Sequence, residues 1–180
     1  MALDGIKCPL RRGSMKVSDR EDTPIDGRQV LRLNGIKCIV PRGMRVVEMN
    51  KITPIVLGRL TPAYTWGDKI RVNPDIFALV DGELLVEECI HGFQYRRMQV
   101  GFFPTYIWDI VLDVVRKKQR NGKSIHNANL MEEEAMSGAK VIFNTFMNRV
   151  AVDRAMGKVP ELDIEAQIVK YYGWERWVKK

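Results

Sequence analysis

A chain of 180 residues with 46% hydrophobic content has room for one ordinary core, which excludes a disordered or low-complexity chain. No apolar run approaches the roughly 18 residues that a bilayer span needs, and three scattered cysteines without CxxC spacing (Cys8, Cys38, Cys89) exclude a disulfide framework. The formal net charge of +7 is uneven: residues 1–60 carry 12 Lys/Arg against 6 Asp/Glu, residues 61–115 carry 4 against 8, and residues 116–180 carry 13 against 8.

The basic ends suit nucleic acid, an acidic partner, or plain surface solubility. MALDGIKCPLRRG at the N-terminus has Asp4 and no apolar h-region, unlike a secretion signal. With the reduced cysteines, this places the chain in the cytoplasm or in a particle assembled there.

In chain order, LDGIKC at 3–8 recurs as LNGIKC at 33–38, each copy followed by Arg-Gly, at 12–13 and at 42–43. Asp-Gly and Asn-Gly tolerate positive φ at both turn positions, so two similar β-turn-β pieces are expected. Cys8 and Cys38 as paired metal ligands is the sharper alternative. The polar stretch between the copies, KVSDREDTPIDGRQ, reads as an exposed loop. QVLRLN, KCIVP, MRVVEM and ITPIVLGRL follow as short strands, and AYTWGDKIRVNP (63–74) as a hairpin or edge strand.

Helical periodicity then takes over. In DIFALVDGELLVEECIHGFQYRRM, Leu85, Cys89 and Phe93 form one row, with Val86 and Ile90 beside it. A second helix is expected from about Pro104 to Gln119, closed by the cationic RKKQRNGKS, a third from Leu130 to Met147, and a short last one within DIEAQIVKYYGWERWVKK. The YYGWERWVKK end reads as an amphipathic tail that docks onto the core or onto a neighbour. Strands first and helices later define an α+β fold. Its expected divisions are a β-rich segment 1–50, a core 51–158 and a basic aromatic helix or tail 159–180.

Chemistry concentrates in EECIH, residues 87–91. Residues 87 and 91 lie one helical turn apart on one face, about 5–6 Å between Cβ atoms, so both can ligate one metal while residue 88 leans over it as a base. Glu87, Glu88 and His91 are the only acids and imidazoles between Leu84 and Phe93. Buried carboxylates must be paired, protonated or metal-bound. A further ligand is available from Glu132, Glu133 and Glu134 in NANLMEEEAM, although three glutamates opening a helix also simply complement its dipole.

These two segments resemble the core of the zincin metallopeptidases, in the gluzincin-type branch whose third ligand is glutamate. More narrowly they are similar to small members with LLxHELxHxxQ followed by NPxExEA. Leu84, Leu85, Glu88, His91 and Gln94 match the first pattern, and Asn129, Glu132, Glu134 and Ala135 the second. Glu87 replaces the first histidine and Leu130 the proline. The resemblance spans roughly residues 60–140 and implies a zincin-like helical core with an edge strand, at 63–74, before the active-site helix. It implies metal ligands at Glu87, His91 and Glu132, with Glu134 the alternative, and a general base at Glu88 that takes the proton of the attacking water. Outside the matched positions, His126 or Tyr64 is offered for oxyanion stabilisation, His126 being equally an ordinary loop residue.

The histidine-to-glutamate change lowers the charge of a zinc-loaded site from +1 to zero. Such a site weakens zinc, blunts hydrolysis and favours a harder ion such as Mn²⁺. In a metal-free state the crowded acids call for a protonated histidine, raised carboxyl pKa values, or Arg96 or Arg97 folded back. The leading functional expectation is thus a zincin-fold protein with a degenerate HExxH motif. It would be a non-catalytic structural or interaction component of a larger assembly such as a virus particle, with protein partners or copies of itself. One alternative is an active metal-dependent peptidase using a Glu/His/Glu site. The second is a nucleic-acid-binding protein that uses the basic ends, with affinity falling steeply in salt.

Overall fold

The computed structural model describes residues 16–50, 62–75, 80–101, 104 and 130–178. Its described strands are β1 (Glu21–Ile25), β2 (Arg28–Leu33), β3 (Ile36–Ile39), β4 (Arg45–Glu48), β5 (Ala63–Trp66), β6 (Lys69–Val72) and β7 (Glu161–Asp163). The longer described helices are α1 (Gly82–Met98), α2 (Leu130–Ala155) and α3 (Ile164–Tyr172). The protein is α+β, as the order of its sequence patterns implied.

LNGIKC folds as its composition requires. Leu33 ends β2, Asn34 (φ 51°) and Gly35 (φ 77°) make the two-residue turn, and Ile36 opens β3. The first copy, with Cys8, lies outside the described residues. So do ITPIVLGRL, His126 and, apart from Pro104, the helix expected up to Gln119.

The stretch expected as a polar loop is a correction. Val17–Arg20 is a 3₁₀ turn and Glu21–Ile25 is β1, joined to β2 by Asp26 (φ 51°) and Gly27 (φ 70°). Because β1 is an edge strand with most of its residues exposed, it needs almost no apolar side chains. Its polar residues pair across to β2 instead, Asp22 with Arg32 at 2.7 Å and Glu21 with Gln29.

The described strands form two sheets, with strand orders β1-β2-β3-β7 and β4-β6-β5. β4 runs parallel to β6 and β7 parallel to β3, so hydrogen-bonded strands join the stretches 1–50, 51–158 and 159–180. The Gln29 side chain bridges the sheets by pairing both polar groups of the Val46 backbone, at 2.7 and 3.2 Å. As expected, 63–74 is a hairpin, and β5 lies at the edge of its sheet.

α1 starts where Asp81 caps the Leu84 amide at 2.9 Å. Leu85, Val86, Cys89, Ile90 and Phe93 are all buried, as their row predicted. Against them α2 lays Ala135, Ala139, Ile142, Phe146 and Val150. α2 runs on to Ala155, two turns past the expected Met147, because Val150 continues the buried row and the first stop is Gly157 at φ 69°. The C-terminal segment docks onto this core: Trp174 is buried and stacked on Tyr172 and Phe93. Among the described residues, no helix is long and apolar enough to cross a membrane.

Gly138 lets α2 and the end of α3 approach, since a Cβ there would overlap the Tyr172 hydroxyl, which donates to the Glu134 carbonyl at 2.7 Å. Gly138→Ala is therefore expected to destabilise by about 1–2 kcal/mol, overpacking outweighing a helix-propensity gain of about 1 kcal/mol. With Tyr172→Ala already present the same change is expected to stabilise, and urea unfolding of the four variants reads the reversal of sign.

Candidate metal centre

α1 carries an acid, a base and an amide on a face that packs against β5 and α2. Glu88, His91 and Gln94 are all buried, Gln94 completely. Their i, i+3 spacing keeps His91 and Gln94 in contact, and Glu87 one turn before His91 returns to the same side. α2 enters beside them with its first turn, which brings Glu132. One ligand atom each from Glu87, His91 and Glu132 lies within 4.8 Å of the other two.

That group is the trio expected from the sequence. Donors around a divalent ion at about 2.0–2.2 Å stand about 3–4 Å apart. The separations therefore need to close by no more than about 2 Å, within reach of two glutamate side chains. Two carboxylates and an imidazole are a divalent-cation donor set, and with His91 neutral they would bring a doubly charged ion to net zero. The residues fit a metal.

The remaining contacts decide the protonation of the site. His91 Nδ1 meets Gln94 Oε1 at 2.9 Å, and His91 Nε2 is 3.5 Å from Glu132 Oε2. Burial opposes the imidazolium, yet the hydrogen bond and charge of Glu132, with the charge of Glu88, raise His91 to about 9. Burial pushes the Glu88 carboxyl up to about 7, against the pull of the His91 charge and the Thr65 hydrogen bond.

Thr65 Oγ1 stands 2.7 Å from Glu88 Oε2 and 2.8 Å from the Glu88 carbonyl. One hydroxyl proton serves only one acceptor. A protonated Glu88 resolves this, its own O–H turning to Thr65 Oγ1 while Thr65 donates to the carbonyl. The edge strand therefore holds the proposed base by a side chain that the sequence did not single out. A threonine in a β-strand is ordinary, and nothing in its spacing marked it.

Glu134, the alternative ligand, stands outside the trio: it accepts from Gln94 Nε2 at 2.8 Å and pairs with Arg97 at 3.7 Å. Of the three outcomes expected for crowded metal-free acids, the raised histidine and carboxyl pKa values are present, while Arg96 and Arg97 pair outside the trio. Arg96 binds Asp68 at 2.9 Å and the Arg42 carbonyl at 2.6 Å, and Arg97 lies over the Trp174 ring. Tyr64, offered for an oxyanion, sits on β5 beneath Arg71. Cys38 is a core residue of β3 whose thiol burial pushes up to about 12, which suits packing and opposes ligation. A cavity of about 450 Å³ between the N-terminal hairpin and residues 41–45 takes no lining from these site residues.

No protein-family model, curated protein or solved structure matches this chain. The likeness to zincins rests on its own residues.

Two raised pKa values give a pH dependence of definite sign. Glu88 favours its neutral form in the fold, so its contribution is complete below pH 4.5 and lost as pH rises to about 7. His91 favours its charged form, and its contribution is complete below pH 6.5 and lost as pH rises through about 9. The urea midpoint of chelator-treated protein is expected to fall from pH 5 to pH 9. Glu88→Gln is expected to flatten the part between pH 4.5 and 7 and to shrink the upper part without abolishing it, because Glu132 still raises His91 while the charge of Glu88 no longer does.

Proposed function

We propose that this chain is a zincin-like metal-binding protein in which a hard divalent cation clamps α1 to α2, with hydrolytic power much reduced. The observation that carries this reading is the convergence of Glu87, His91 and Glu132 from two helices on one point. Glu87 and His91 come from the middle of α1 and Glu132 from the first turn of α2, so a bound ion would cross-link the two helices that share the core. A divalent ion held there would also polarise an oxygen ligand, though less strongly than beside two neutral imidazoles. A structural role in a larger assembly agrees with this weakening and with a Glu88 carboxyl that is buried against Thr65.

A second reading, slow metal-dependent peptide hydrolysis, is favoured by one observation. Glu88 is buried on the metal-facing helix, and burial lifts its carboxyl to about 7, where such a group both takes and returns a proton. In that reading Glu88 removes the proton of an attacking water and Thr65 orients its carboxylate.

Protein purified without chelator or added metal is expected to contain near one divalent ion per chain by mass spectrometry, lost in Glu132→Ala. Chelator-treated protein is expected to take up Mn²⁺ more tightly as pH rises towards 9, since ligation by His91 displaces its proton. Absence of uptake at any pH would sink the metal reading. Glu87→His is expected to raise Zn²⁺ affinity by about tenfold or more, by restoring a two-histidine, one-carboxylate set. Peptide turnover appearing in that variant and vanishing with Glu88→Ala would assign the original chemistry to the missing imidazole.

A further inference from the structure

The Gln94 side chain has no freedom in how it sits. Its amide nitrogen donates to the Met131 carbonyl at 3.0 Å and to Glu134 Oε2 at 2.8 Å, which uses both of its protons. The oxygen is then the atom that faces His91 Nδ1 at 2.9 Å. Turning the amide over would set that oxygen against two acceptors, so the network fixes the orientation. An oxygen only accepts, hence Nδ1 carries the proton and neutral His91 presents its lone pair on Nε2. Nε2 is the atom on the Glu132 side, 3.5 Å from Oε2.

Glu134 is itself held from the far side. Its carboxylate pairs with Arg97 at 3.7 Å, and its carbonyl accepts from the Tyr172 hydroxyl at 2.7 Å. The Arg97 guanidinium lies 4.8 Å above the buried Trp174 ring, which stacks on Tyr172 at 4.1 Å and on Phe93 at 6.2 Å. A continuous series of contacts runs from Trp174 through Arg97, Glu134 and Gln94 to His91.

We propose that Gln94 is a positioning residue for the metal ligand His91, and that docking of the C-terminal Tyr172–Trp177 segment sets how tightly the site holds a divalent cation. This rests on the metal-binding reading above. Groups that orient a ligating histidine are worth about 10–100-fold in metal affinity. Coupling between two sites is reciprocal, so a cation that rigidifies His91 also tightens the docked tail.

The test is calorimetric titration of the chelator-treated full chain with Mn²⁺ at pH 8, joined to amide hydrogen exchange with and without saturating Mn²⁺. Gln94→Ala is expected to weaken Mn²⁺ by about 10–100-fold. Arg97→Ala and Trp174→Ala are expected to weaken it by a smaller factor, with Trp174→Phe restoring most of the affinity. Arg97 is a partly exposed side chain, so its alanine variant folds even if Gln94→Ala does not. Mn²⁺ is expected to slow exchange of the amides at 173–178 in the wild type and not in Gln94→Ala. A merely structural glutamine would alter metal-free stability without removing that protection. Wild-type binding together with Arg97→Ala and Gln94→Ala affinities within about twofold of it overturns the relay alone, as does tail exchange indifferent to Mn²⁺. A wild type that takes up no Mn²⁺ overturns the metal reading and the relay with it.

Discussion

The constraint on which this structure turns is the burial of Glu88, His91 and Gln94 on α1, beside its apolar row Leu85, Cys89 and Phe93. Each needs a partner in a place where water does not reach, because an unpaired buried polar group costs kilocalories and an unpaired charge costs more. β5 supplies Thr65 to Glu88, and α2 supplies Glu132 to His91 and Glu134 and the Met131 carbonyl to Gln94. The edge strand and the first turn of α2 are thereby fixed against α1 by polar contacts as well as by packing. A core of leucine and valine alone would have tolerated a slide of one helix along the other.

The rest of the fold holds these three elements in register. Asp81 sets the start of α1, so the phase of every later residue on that helix follows from one cap. At the far end Arg96 ties α1 to Asp68 in the β5–β6 turn and to the Arg42 carbonyl. That anchors helix and edge strand at two points. The C-terminal aromatic segment closes the opposite side, where Gly138 makes room for Tyr172 and Trp174 fills the space beside Phe93. Asp163 serves twice, capping α3 and receiving the buried Arg28 guanidinium, which joins β7 to the start of β2.

Electrostatics give the site its character. Glu87 stands where an imidazole would leave a loaded centre positive, and the exchange trades Lewis acidity for charge balance. Without a cation the same acids draw a proton onto His91 and burial keeps one on Glu88. A cation bound there would therefore displace a proton from His91. In the proposed metal-binding reading, metal affinity, pH and helix clamping would be linked through one imidazole nitrogen.

Much of this was written in local pattern. Asn34-Gly35 declared its turn, the Leu85–Cys89–Phe93 row its buried face, and the one-turn spacing of Glu87 and His91 a shared helix face; Glu132, 41 residues on, was implied only by the resemblance to a family motif. The first three features depend on helical and strand periods and on turn stereochemistry, which a short stretch of sequence contains entire. β1 escaped notice because an edge strand can be almost wholly polar, and α2 ran beyond its expected end because only packing told Val150 that it was buried. Thr65 beside Glu88, Glu134 bound to Gln94 rather than standing as a ligand, and Arg97 spread over Trp174 were decided by the tertiary structure alone. Each pairs residues from elements distant in sequence, and the choice among acceptors within reach depends on side-chain positions that no spacing encodes.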